Sequence, residues 1–301
     1  MPPRNYGTGA PAHRVNDWSP DQYLVFRKAR NRAIYDLVAF LGQEYNPRRI
    51  IDLGCGPGNS TEILAERFPG AEITGVDSSP AMLTKARATL PTVEFTHGDV
   101  RTYLPDPKTD LLFSNAVFHW LRTSERIPAI TRLLLTLREG SILALQMPDN
   151  YDEPSHRTMR ETASFSGPWR PYFANLPPGD RPDLDPIEPT MDYYNALLPH
   201  CRQVEIWTTQ YQHALEDHGA VVEWVKGTGL QPFVNALPDG EVRERFLREY
   251  LRRVENEYPR ARDGRVLLAY PRRFRGRGSL MYSFGQKKGR LEEQKEMRIG
   301  R

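Results

Sequence analysis

The sequence predicts an α/β protein built on an open, mostly parallel sheet of seven strands flanked by helices, with inserted helical and lid segments. Three observations carry that expectation. Short apolar runs alternate with helix-period segments across residues 48–147, a glycine-rich stretch sits at the first strand-to-helix junction, and two more strand-like runs come late, at 204–211 and 265–270. Strands alternating with helices demand parallel pairing with right-handed crossovers.

The first five strands are read from Ile50-Ile51-Asp52-Leu53, Ile73-Thr74-Gly75-Val76, Val93-Glu94-Phe95, Leu111-Leu112-Phe113 and Ile142-Leu143-Ala144-Leu145. Each is four residues or fewer, the length of a strand rather than of a buried helix. Between them, residues 61–67 carry Ile63 and Leu64, residues 81–90 carry Met82, Leu83 and Ala86, and residues 127–137 carry Ile130, Leu133, Leu134 and Leu137 at helical spacing. Residues 33–41 read as an amphipathic helix that packs on the sheet. After Met147 the rhythm changes. Seven prolines fall within residues 164–190, which reads as a long loop or lid. Helices are expected at 220–227 and 241–257, between the two late strands.

The chain of 301 residues is 39% hydrophobic and 26% charged, within the range of a globular protein with a full core. It holds no apolar run long enough for a membrane helix, and residues 1–11 lack the apolar stretch of a secretory signal, so the cytoplasm is expected. Two cysteines, Cys55 and Cys201, make neither a disulfide framework nor a zinc site, and no metal is expected. The net charge of +3 is uneven: residues 271–301 carry ten Lys/Arg against three Glu, leaving the other 270 residues at −4. An acidic body without a basic, aromatic-rich stripe argues against nucleic acid as a partner. The expected organisation is a flexible N-terminus (1–16), a catalytic domain (17–274) and a basic, disordered tail (275–301). Within the domain, a cofactor-binding core spans about 30–150, with substrate-side insertions at about 151–203 and 212–264. A monomer acting on a small molecule is expected.

The motif with most chemistry is Asp52-Leu53-Gly54-Cys55-Gly56-Pro57-Gly58. Glycines at 54, 56 and 58 let the backbone turn sharply and approach a ligand, and amides at the helix start that follows suit polar or anionic groups. The spacing Gly-x-Gly-x-Gly, opened by an acid, differs from the Gly-x-Gly-x-x-Gly of nicotinamide sites and favours S-adenosylmethionine on a Rossmann-like sheet. Nineteen residues past Gly58, Asp77-Ser78 ends the second strand, where a carboxylate suits the two ribose hydroxyls; Ser79 suits the cap of the helix that follows. Gly98-Asp99-Val100 ends the third strand, with Asp99 facing an adenine amino group and Val100 N–H the ring. The fourth strand runs into Asn115-Ala116-Val117-Phe118-His119-Trp120, where the transferred methyl should lie. His119 is the candidate base or substrate contact; its plainer reading is a hydrogen-bonded structural histidine among aromatics.

This series resembles class I S-adenosylmethionine-dependent methyltransferases, and more narrowly the trans-aconitate 2-methyltransferase family. The narrower resemblance rests on Asp17-Trp18-Ser19-Pro20 with Tyr23, on Asp52 through Thr61, on Val76 through Met82, and on Gln146-Met147-Pro148-Asp149-Asn150. Late in the chain it continues through Trp224-Val225, Gly227-Thr228-Gly229-Leu230 and Leu267 through Arg272. His119 stands where family members tend to have Gln, and Thr208 where Arg is expected. The resemblance implies methyl-ester formation on a carboxylate. A carboxylate is ionised at neutral pH without help, so cations rather than a base should hold it. Arg30, Arg32 and Arg160 are the candidates, with Tyr23, Trp120, Tyr193 and Tyr194 closing on the acceptor. Two alternatives stay open: a tailoring O-methyltransferase of a secondary-metabolite pathway, for which His119 would act as base on a hydroxyl, and a non-catalytic cofactor-binding protein.

Overall fold

In the computed structural model the described residues are 26–177 and 181–275. Tyr23, the N-terminal sixteen residues and the basic stretch 276–301 lie outside them. Seven strands are present: β1 (Arg49–Leu53), β2 (Glu72–Asp77), β3 (Glu94–His97), β4 (Leu111–Asn115), β5 (Ile142–Pro148), β6 (Ile206–Leu215) and β7 (Val266–Arg275). They form one sheet in the order β3-β2-β1-β4-β5-β7-β6. The first five pair in parallel, and β7 runs antiparallel to both β5 and β6, so a single strand is reversed. The carboxyl ends of six strands therefore share one edge. Ligands of open α/β sheets bind beyond that edge.

The helices follow the sequence pattern with instructive shifts. α1 (Arg27–Phe40) starts six residues before its apolar period begins, because its first turns bury Arg30 and Asn31 instead of aliphatic side chains. α2 (Asn59–Arg67) leaves the glycine loop, and α3 (Pro80–Thr89) is capped by the Ser79 hydroxyl, which accepts from Met82 N–H at 3.1 Å. α4 (Thr123–Thr136) lies between β4 and β5 and buries Ile130, Leu133 and Leu134. After β5 come α5 (Pro154–Ser164), a short α6 (Arg170–Ala174) and α7 (Thr190–Leu197). Between β6 and β7 come α8 (His218–Lys226), α9 (Gln231–Asn235) and α10 (Glu241–Glu257). On α10 the buried residues Phe246, Tyr250 and Val254 recur every fourth position and make one apolar stripe.

Two large apolar clusters result, beside a small third one of Cys55, Leu83, Ala86 and Phe95. The larger packs α1, α2 and α4 on the sheet; the second joins Met159, Trp169, Trp224, Phe233, Phe246 and Tyr270 from the inserted helices and β7. Residues 181–188 of the proline-rich segment are strapped to the body. Arg122 donates to the carbonyls of Asp183 (2.7 Å) and Arg181 (2.9 Å), and fully buried Arg126 donates to Pro186 O and the Glu188 carboxylate (2.6 Å). Among the described residues no helix is long and apolar enough to cross a membrane, and no cluster of metal-ligating side chains occurs.

Candidate active site

The site begins where β1 ends. Gly54 N–H and Cys55 N–H both bond to Val76 O of β2, which folds the loop back over the sheet edge. Gly54 has φ +77°, and a Cβ there would lie 2.0 Å from Val117 Cγ2, so only glycine fits. Gly56, at φ +55°, has open space where a Cβ would stand and donates its N–H to Asp77 Oδ2 at 2.8 Å. The other Asp77 oxygen accepts Ser79 N–H at 2.9 Å. Gly58 caps α2 and packs toward Ala86 of α3 and Leu90 just past its end, away from the cavity.

A cavity of about 310 Å³ runs along the carboxyl edge of the sheet. Gly54, Gly56, Asp77, Ser78, Asp99 and Val100 line one end. Asn115, His119 and Trp120 line the middle, and Arg30, Asn150, His156 and Arg272 the other end. From β2, which carries Asp77, to β7, which carries Arg272, there are four strand intervals, roughly 19 Å at the usual spacing. The cavity thus has the carboxylates of Asp77 and Asp99 at one end, the latter paired with Arg101 at 3.5 Å, and the buried guanidiniums of Arg30 and Arg272 at the other. The acidic end, the open space at Gly56 and an extended cleft fit a nucleoside-bearing cofactor.

Electrostatics in the middle and basic end are set by burial. His119 is held well below its ordinary pKa, first by desolvation and then by the charges of Arg272 and Arg126, and its Nδ1 has no hydrogen-bond partner among the described residues. His156, bonded through Nδ1 to Ser155 Oγ at 3.0 Å, is pushed down to about 3 by burial and by Arg160. Both imidazoles are neutral at physiological pH. Asn115 accepts from Gln146 Nε2, and Gln146 Oε1 accepts from Arg272 Nη1 at 3.2 Å, so a hydrogen-bond chain crosses from the tip of β4 to β7.

A family described as a methyltransferase domain matches residues 50–140, from β1 to just before β5. Over a longer span, the chain is 47% identical to a trans-aconitate 2-methyltransferase of Rhodopseudomonas palustris (strain BisB5), covering 86% of this chain and 97% of that protein. It is 45% identical to the protein of the same name from Paracidovorax citrulli, with the same two coverages. The chain belongs to the trans-aconitate 2-methyltransferase family. It is an S-adenosylmethionine-dependent methyltransferase. Among solved structures, the YcgJ protein of Bacillus subtilis superposes with a TM-score of 0.51 at 12% identity, over 82% of this chain and 98% of that one, which shows the shared fold.

Within this family member the expected cofactor residues Gly54, Gly56, Asp77, Ser78, Asp99, Val100 and Asn115 converge on the cavity, as do Arg30, His119 and Trp120. Others do not. Asp52 is fully buried behind the loop, where one oxygen accepts from Ser60 (2.7 Å) and Thr61 (2.6 Å), so it anchors the start of α2 and lines no cavity. Arg32 is exposed and pairs with Asp36 one helical turn on, because it projects from the opposite side of α1 to Arg30. Arg160 lies beside the main cavity, stacked on Tyr151 and donating to Tyr151 O and His156 O. Tyr193 is fully buried in the sheet core with its hydroxyl on Glu188, and Tyr194 is half-exposed over a separate groove beside Trp207.

Arg272, His156 and Asn150 were not among the candidates. The signal was present: the narrow stretches Gln146 to Asn150, Gly227 to Gly229 and Leu267 to Arg272, which carry the family resemblance, meet at this cavity. What the sequence lacked was the antiparallel pairing of β7 with β5, which sets Arg272 opposite Pro148 at the ligand-binding edge.

Proposed function

We propose that this enzyme methylates a carboxylate of a small organic acid to its methyl ester, with trans-aconitate, the acceptor in its relatives' name, as the first to test. The observation that carries this reading is the pair of buried guanidiniums, Arg30 and Arg272, in the same cavity as the acidic, glycine-lined end. A buried arginine suits a carboxylate through charge-assisted, forked hydrogen bonds.

At the acidic end Asp77 would accept from the ribose hydroxyls of the cofactor and Asp99 from its adenine amino group, and Val100 N–H would meet the ring. Asn115, with its oxygen engaged by Gln146, offers its N–H donors at the centre. S-adenosylmethionine, when bound, supplies a methyl group already activated on a sulfonium sulfur. The chain's task is then alignment and exclusion of water. Trp120 and Leu184, the latter on the strapped lid, cover the middle of the cavity. An acceptor carboxylate is ionised at neutral pH, so neutral His119 contacts it without taking a proton.

The test is release of S-adenosylhomocysteine with trans-aconitate, related acids and hydroxylated metabolites offered separately. Turnover on the acids is the expected result. Turnover confined to hydroxyl acceptors, or tight cofactor binding with no product from any acceptor, overturns the proposal.

A further inference from the structure

Arg30 and Arg272 reach one cavity from opposite ends of the chain, the first from the opening turns of α1 and the second from β7, and both are buried. Each rests on an aromatic ring. The Arg30 guanidinium lies 5.0 Å from the Trp224 ring centroid and donates to Trp224 O at 2.7 Å; that of Arg272 lies 5.1 Å from the Tyr270 centroid. Trp224 and Tyr270 are themselves in contact, with centroids 5.7 Å apart, and His213 stacks on Trp224 at 4.5 Å. Both arginine charges act on that histidine, which burial has already pushed toward about 4, so no imidazolium adds a third charge there at neutral pH. The two cations thus share one aromatic bed. Gln146 fixes the aim of the second: its amide takes a hydrogen bond from Arg272 and gives one to Asn115, in the middle of the cavity.

We propose that Arg30 and Arg272, seated on Trp224 and Tyr270, form a paired guanidinium clamp that grips the acceptor by carboxylates other than the one being methylated. The inference rests on the carboxylate reading above and goes further, since it names the two residues that hold the acid's remaining carboxylates. A monocarboxylate leaves at least one clamp arginine without its anion. The charges agree: an acid with three carboxylates meets two guanidiniums and the cofactor's sulfonium.

The experiment is a substrate-by-variant cycle. Wild type, Arg272→Met and Arg30→Met are assayed with trans-aconitate, with unsaturated dicarboxylic acids that lack one of its carboxylates, and with crotonate. Cofactor affinity is measured by calorimetry, to show that each variant keeps its fold. Losing a charge-assisted contact should lower wild-type kcat/KM roughly tenfold to a hundredfold for each carboxylate removed. Each variant should lose a similar factor on the tricarboxylate, mostly in KM, and discriminate far less against the dicarboxylate that lacks its own contact. A purely structural role would depress both acids equally and leave their ratio at the wild-type value, which overturns the clamp. Should the variants fail to fold, wild type alone decides. With S-adenosylhomocysteine present, the tricarboxylate should bind at least tenfold tighter than crotonate, and equal affinities sink the proposal. A wild type that makes no ester from any acid rejects the carboxylate reading itself, and the clamp with it.

Discussion

Asp77 and Gly56 tie the first two strand-to-helix turns into one piece: the carboxylate accepts the Gly56 N–H at 2.8 Å while its other oxygen accepts Ser79 N–H at 2.9 Å. The glycine loop is therefore shaped by the same group that we propose to hold the ribose. Asp77→Asn replaces one acceptor oxygen with a donor that faces a backbone N–H. Cofactor affinity should fall roughly tenfold to a hundredfold, and unfolding free energy by about 1–3 kcal/mol. Calorimetric titration and urea melts read the two effects separately. Undiminished cofactor affinity would remove Asp77 from the site.

Gly54 and Gly56 both hold positive φ, yet they differ in what a methyl group would meet. At Gly54 the added carbon collides with Val117, whereas at Gly56 it enters open cavity. Gly54→Ala should therefore lower stability by more than about 2 kcal/mol, combining backbone strain with overlap. Gly56→Ala should lose about 1 kcal/mol of stability and chiefly weaken cofactor binding. Thermal melts with and without S-adenosylhomocysteine separate the two. A smaller melting shift for Gly54→Ala than for Gly56→Ala would contradict the geometry.

The sheet, and the gathering of the glycine loop, Asp77, Asp99 and Asn115 at one cavity, were legible in the sequence because both are local. Strand length, helix period and a glycine loop each declare themselves within about ten residues, and the carboxyl ends of consecutive parallel strands meet by topology alone. The basic end of the cavity was only half legible. Arg30 and Arg32 look alike in sequence, and only the helical phase of α1 separates a buried guanidinium from an exposed one. Tyr193 and Tyr194 differ in the same way, one in the core and one half-exposed. Arg272 was hidden because its position depends on register between strands more than a hundred residues apart. Asp52 misled for a physical reason: an acid that opens a ligand loop is as useful bonded to Ser60 and Thr61 behind it as in front.

Acidification should set two kinds of buried group against each other. Burial, opposed by hydrogen bonds from Thr61 and Ser60, raises the Asp52 carboxyl to about 6. The native state then keeps a proton that the unfolded chain releases near pH 4. Asp52 therefore costs stability as pH rises from about 4 to 6, in total about 3 kcal/mol. His156, lowered to about 3, works the other way. The unfolded chain binds a proton near pH 6.5 and the native state does not, so stability is lost as pH falls below 6.5, about 2 kcal/mol by pH 5. His119 shifts in the same direction, and two histidines outweigh one aspartate. Urea melts from pH 7.5 to 4.5 should show falling stability in the wild type, a steeper fall in Asp52→Asn and a shallower one in His156→Gln. The reverse order for the two variants would refute these assignments.

His119 decides between the two chemistries still open at the middle of the cavity. Its ring is buried and beside Arg272 and Arg126, and it stays neutral throughout the working pH range. A neutral imidazole is the protonation state a base needs, but with the pKa held far below 7 it is a poor acceptor of a hydroxyl proton. An ionised carboxylate asks for no such acceptor. The expected kcat with an acid acceptor is therefore level between pH 6 and 8, and His119→Ala should keep it within about tenfold, the loss being one hydrogen bond and some packing. A general base would behave otherwise, with a loss of about a hundredfold to ten-thousandfold in kcat on removal. Values of kcat and KM for both proteins, measured up to saturating acceptor, separate the cases, because a weakened contact shows mainly in KM and a lost base shows in kcat.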